Sequence, residues 1–174
     1  MPTAGALNQH NRQLGIDMGD YSAQVRWECE GDFLAQRYSR AHEWVFDGGA
    51  VVSASAAPRN VAGPYADASA VDPEEALVAA AASCHMLWFL HLAAKAGWEV
   101  ARYEDRAAGV LGKDERGKIS VVSIRLSPVV TFRERAAGEE DLARLHRAAH
   151  ESCFIANSLR GEVSISRSET RLIL

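Results

Sequence analysis

Between Asp72 and Gly97 the chain is apolar at nearly every position, and from Ala76 to Ala94 it has almost no polar face. A helix on the surface of a small domain needs such a face, so the run predicts one long helix buried on most sides. Both ends are marked. Asp72 can cap free backbone N–H groups, Pro73 suits the first helical position, and Glu75 sits three residues after the cap. At the far end Lys95 complements the helix dipole and Gly97 can take a left-handed conformation. The run approaches the length that spans a bilayer, but alanine dominates its first half and Ser83, His85 and His91 interrupt it. A core helix is expected, not a membrane span.

Outside this run the period changes to two. From Tyr21 to Glu30, the residues Tyr21, Ala23, Val25, Trp27 and Cys29 share one side, as in a strand. Gly31 and Asp32 turn the chain, Tyr38 to Phe46 reads as a second strand ended by the hairpin signal Asp47-Gly48-Gly49, and Ala50 to Ser55 as a third. The stretch from Ala56 to Val71, with Pro58, Gly63 and Pro64, is a loop. After the long helix, Trp98 to Leu111 and Lys118 to Phe132 read as strands around the charged turn from Gly112 to Gly117. The apolar positions change side near Val122-Ser123, which predicts a bulge. Glu139 to Ser152 is helical with Leu142, Leu145 and Ala149 on one stripe, Gly161 ends a second helical region, and Val163 to Leu172 forms a last strand. Helices and strands segregated in this order predict an α+β domain with antiparallel sheet.

Composition narrows this picture only a little. A chain of 174 residues, 48% apolar and 24% charged, suits one globular domain. Its first seventeen residues have neither periodicity nor the apolar core of a signal peptide, so residues 1–17 are expected to be a tail or a non-native extension and residues 18–174 a single domain. A net charge of −4 with scattered arginines argues against nucleic acid as a partner. Three widely spaced cysteines do not form the framework of a secreted module, which points to a reducing, cytoplasmic setting. No cofactor and no membrane partner are expected.

The cysteines are the candidate chemistry. Cys84 and Cys153 each fall on a predicted helix facing the core, and packed helices could bring them within disulfide reach. The plain alternative is that both are small buried hydrophobes. If they react, Cys84 is the better nucleophile, because Cys153 lies near a helix C-terminus, where the dipole disfavours a thiolate. Cys29, on a strand, is expected to be packing.

Two segments resemble a known family. D-P-E-E-A-L-V-A-A-A-A-S-C, ending at Cys84, is similar to the first-cysteine helix of the OsmC/Ohr family, and C-F-I-A-N-S-L-R-G, beginning at Cys153, to its second-cysteine segment. The resemblance covers essentially the whole chain after the tail. It implies an OsmC-like fold and a cysteine-based peroxidase for organic hydroperoxides. Cys84 would attack the peroxide and become a sulfenic acid, and Cys153 would condense with it to a disulfide reopened by a dithiol reductant, possibly a dihydrolipoyl protein. The resemblance further implies a site arginine, best matched by Arg40 with Arg37 as the other choice, to lower the thiolate pKa. Glu74 would hold that guanidinium. Taken without the family, Glu74 is a first-turn carboxylate and Arg40 a solvated strand residue. The chain departs from the pattern at Phe154, Ala156, His85-Met86 and Val71-Asp72, which bears on substrate preference and reducing partner.

Helix geometry adds a constraint. Glu74 and Cys84 lie ten residues apart on one helix, about 15 Å, too far to share a small site. Two antiparallel copies of the helix could bring Glu74 of one chain to Cys84 of the other, so an intertwined homodimer is expected. Two rival readings remain at the level of sequence. His146, His150 and Cys153 share one helical face and, with His85 or Cys84, could bind zinc. Alternatively Trp88, Phe89, Trp98 and Trp44 line an apolar pocket in a ligand-binding, stress-associated dimer without peroxidase activity.

Overall fold

The structure, a computed structural model, describes residues 19–61, 63–166 and 168–173. The tail expected at residues 1–17 lies outside the described residues. The chain divides into two compact units, Met1–Ala70 and Val71–Leu174.

Among its described residues the first unit contains two small antiparallel sheets. Strands β1 (Ala23–Arg26), β4 (His42–Phe46) and β5 (Val51–Ala54) form one, in the order β1-β4-β5. The other is a hairpin of β2 (Gly31–Asp32) and β3 (Arg37–Tyr38). The alternating stretch expected over residues 21–30 is a strand only in its middle. Beyond it Gly31 takes φ +117, where an added Cβ would run into the Arg37 carbonyl, and the hairpin begins.

The second unit opens with α1 (Pro73–Lys95), and its caps are those the sequence marks. The Asp72 carboxylate accepts the Glu75 N–H at 2.8 Å and Glu75 reaches back to the Asp72 N–H, a complete capping box. Gly97 closes the helix with φ +76. By length and apolarity α1 could cross a bilayer. Here Ala81, His85, Phe89 and Ala93, four residues apart, form its buried stripe.

Six strands follow the helix in two three-stranded sheets. β7 (Ala108–Lys113), β8 (Ile119–Leu126) and β10 (Glu162–Ile165) have the order β10-β8-β7, and β6 (Val100–Asp105), β9 (Pro128–Phe132) and β11 (Glu169–Leu172) the order β11-β9-β6. Each long strand expected from the sequence is thus two, broken at a common corner. There the Asp105 carboxylate accepts the Ser127 N–H at 2.6 Å and the Ser166 hydroxyl donates to the Ser127 hydroxyl at 3.0 Å, so side chains replace ladder bonds. The expected bulge is present: Val110 pairs with Ser123 and Leu111 with Val121, leaving Val122 extra. β6–β9 and β7–β8 are antiparallel, as expected for the α+β class, whereas β10 and β11 join β8 and β9 in parallel. A parallel neighbour needs a long crossover, which α2 (Glu139–Ser152) and the short α3 (Phe154–Ser158) supply.

Two apolar clusters fill the space between helices and sheet. Phe89 and Ala93 of α1 meet Val130 and Phe132 of β9 and Leu142, Leu145 and Ala149 of α2. Nearer the start of α1, Ala81 meets Ile124 and Leu126, with Ile155 and Leu159 packed beside them.

Candidate thiol site

Cys84 sits in the middle of α1 and is half-buried; Cys153 is buried; both are free thiols. Although distant in sequence, the two are neighbours, because α1 packs against both α2 and α3. Cys153 has a double position. It is the C-cap of α2 and the N-cap of α3, and its Sγ accepts the backbone N–H of Ala156 at 3.4 Å. Burial pushes the Cys153 thiol up to about 11, the adjacent Cys84 sulfur adds to the rise, and the N–H groups of Ala156 and Ile155 oppose it. At neutral pH Cys153 is therefore a thiol, and burial is the main cause; the expected effect of the α2 C-terminus is not among the causes, and the N–H groups at the start of α3 favour the thiolate. The surroundings are apolar: Trp88 meets Phe154 edge to face at 5.6 Å.

Glu74 lies in the first turn of α1, in the second unit, ten residues before Cys84 and so about 15 Å along the helix. Arg40 and Arg37 belong to the first unit. The Arg40 guanidinium lies 3.5 Å from the Tyr38 ring centroid and donates to the carbonyls of Tyr38 and Gln36. Arg37 instead pairs with Asp32 at 3.0 Å. The structure thus brings the two cysteines together, and sets Glu74 farther along α1.

His85, the residue after Cys84, belongs to a polar cluster whose histidines the sequence grouped only as possible zinc ligands. His85 Nε2 and His146 Nδ1 are 3.0 Å apart, and their rings stack at 5.3 Å with 9° between planes. His146 Nε2 lies 3.0 Å from the Ser168 hydroxyl, which donates to the Pro128 carbonyl at 3.2 Å. Because the one serine proton goes to Pro128, Ser168 must accept from His146 Nε2–H; His146 Nδ1 then accepts from His85 Nε2–H. Each histidine is held neutral: burial, and next the charge of a neighbouring histidine, lowers both to about 4. His85 Nδ1 is buried without a hydrogen-bond partner among the described residues. The available signal was His85 itself, a polar residue on the buried stripe of a core helix, which needs a partner.

The metal reading does not survive this arrangement. Both ring nitrogens of His146 are engaged with His85 and Ser168, so it has no lone pair free for a cation. Among the described residues no group of three or more His, Cys, Asp or Glu is placed to hold a metal ion. The aromatic pocket fails too: Phe89 is fully buried in the core, and Trp98 is spent on Phe132 and Arg135. A cavity of about 530 Å³ does exist between α2 and β10 with the segment just after it, with His146, His150, Ser166 and Ser168 in its wall, but neither cysteine lines it.

Comparison with known proteins bears on this geometry. Residues 66–168 match the family described as OsmC-like protein. An OsmC-like protein of unknown function from Vibrio cholerae has a similar structure, with a TM-score of 0.82 and 45% identity over 90% of this chain and 100% of that one. An organic hydroperoxide resistance protein from Elizabethkingia anophelis is similar at a TM-score of 0.61 and 16% identity, over 90% of this chain and 100% of that one. The corresponding Bacillus subtilis protein, OhrB, gives 0.51 and 24%, over 88% and 98%. Comparison with curated proteins finds no match.

Proposed function

Because the chain belongs to the OsmC/Ohr family, we propose that it is a thiol-dependent reductase of organic hydroperoxides. The observation that carries this reading is the meeting of Cys84 and Cys153 across separate helices. The Cys84 thiolate attacks the O–O bond, breaking it; one oxygen stays on sulfur as a sulfenic acid and the other leaves as an alcohol after taking a proton. The Cys153 thiol then displaces water from that sulfenic acid and a disulfide forms. Its raised pKa suits this order, since a protonated Cys153 does not compete for the peroxide.

A dithiol, such as that of a dihydrolipoyl protein, returns both cysteines to thiols. Arg40 stabilises the Cys84 thiolate and orients the peroxide, with Glu74 as the partner of its guanidinium. Trp88 and Phe154 offer an apolar surface to the organic part of the substrate. The protein works as a cytoplasmic homodimer. Support for the dimer comes from α1, which leaves Leu87 61% exposed on an otherwise apolar helix, and from the span between Glu74 and Cys84. Residues 1–17 take no part.

Intact mass after one equivalent of cumene hydroperoxide tests the cycle. The expected result is loss of two hydrogens in the wild type, a trapped sulfenic acid in Cys153→Ser and no reaction at the site in Cys84→Ser. An unchanged wild-type mass would sink the proposal, and sedimentation as an active monomer would sink the dimer.

A further inference from the structure

We propose that His85 and His146 are positioning residues that fix how closely Cys84 and Cys153 approach. The inference deepens the redox reading above and rests on it for its biological use, but not for its test. His85 directly follows Cys84 on α1, and His146 precedes Cys153 by seven residues on α2, about 10 Å along that helix.

Most of the α1–α2 contact is apolar, through Phe89, Leu142, Leu145 and Ala149, and apolar surfaces resist sliding only weakly because their attraction has no direction. The bond between His85 and His146 is different. It is 3.0 Å long, between rings stacked within 9° of parallel, and Phe89 packs on the His146 ring at 4.4 Å. Ser168 and the Pro128 carbonyl tie the far end of His146 to the sheet. Donor and acceptor alternate in one sense along the whole chain of groups, so neither ring can flip or shift without leaving a buried polar atom unpaired.

The arrangement is an expensive way to gain stability. Two imidazoles are desolvated, at 1% and 4% exposure, and one nitrogen has no partner among the described residues. An apolar pair of equal size would hold the helices together as well. What the polar pair adds is register. A disulfide needs its two Cα atoms within about 4.4–6.8 Å, a window that a slip of one helical residue, about 1.5 Å, can leave.

The test uses the full chain and closes the bond with diamide, which needs no peroxide chemistry. The midpoint of the Cys84–Cys153 couple is read by mass after alkylation in dithiothreitol redox buffers, with the melting temperature measured alongside. His85→Phe keeps an aromatic ring but deletes the donor, and it should weaken the disulfide about tenfold, a rise in midpoint of about 30 mV. His85→Gln, which places an N–H near the same point, should return it to within about threefold of wild type. If His85→Phe does not fold, Ser168→Ala, which removes the anchor of His146 and leaves both helices unaltered, carries the same expectation. A wild-type midpoint in these variants, even with a lowered melting temperature, overturns the proposal, as does failure of diamide to bridge the wild type. A normal diamide bridge with no response to peroxide would instead sink the peroxidase reading and leave this one standing.

Discussion

Cys153 Sγ accepts the backbone N–H of Ala156 at 3.4 Å, so one residue ends α2 through its own N–H, given to the His150 carbonyl, and starts α3 through its side chain. That bond favours the thiolate, but burial outweighs it and holds the group up at about 11. At pH 8 Cys153 is then held almost wholly as the thiol. Iodoacetamide should label Cys153 at least about tenfold more slowly than the exposed Cys29, as peptide mass analysis over time would show. Equal rates would mean that the site opens readily to solvent.

The histidine pair makes stability depend on pH. Both groups sit near 4 when folded and near 6.5 when unfolded, so between those values the unfolded chain binds more protons. Stability is therefore fully present above about pH 6.5, falls as the pH drops toward 4, and flattens below it. At 1.36 kcal/mol per pKa unit the loss is about 3 kcal/mol for the first histidine. Urea melts at pH 7 and pH 4.5 check this, and His146→Phe should flatten the profile.

Tyr103 offers a change with the opposite sign. Its hydroxyl is buried without a partner among the described residues, and burial, with Asp105 next, disfavours its ionisation. Removing an unpaired buried hydroxyl releases a desolvation cost, so Tyr103→Phe should be neutral or up to about 1 kcal/mol stabilising. Thermal unfolding of the two proteins decides it. A clear loss would show that the hydroxyl has a partner in solution.

Asp72→Ala removes the capping box and should cost about 1 kcal/mol, read as a shift of the urea midpoint without a change of slope.

These cases also show what can be read from a sequence. The caps of α1 were legible because Asp72, Glu75 and Gly97 act on backbone only a few residues away. The bulge at Val122 was legible too, since an inserted residue moves every later side chain to the other face. The corner was not: Asp105, Ser127 and Ser166 meet only after folding, and nothing local in any of them ends a strand. The site divides in the same way. Local motifs located Cys84 and Cys153, yet helical spacing alone grouped His146 with His150 and Cys153, whereas His146 turns to His85, 61 positions away. Periodicity tells which residues share a face, not which face they meet.

Ala81 and Ala93 are fully buried, and a Cβ added to Gly109 of β7 would lie 2.6 Å from Cγ2 of Val78 on α1. The first half of the long helix thus rests on the strands through small side chains, and the clearance beneath it at Gly109 is less than a methyl group. Enlarging Gly109 would act as a wedge under the first half of the helix, tilting the segment that carries Cys84 while leaving every group near the sulfur chemically unchanged.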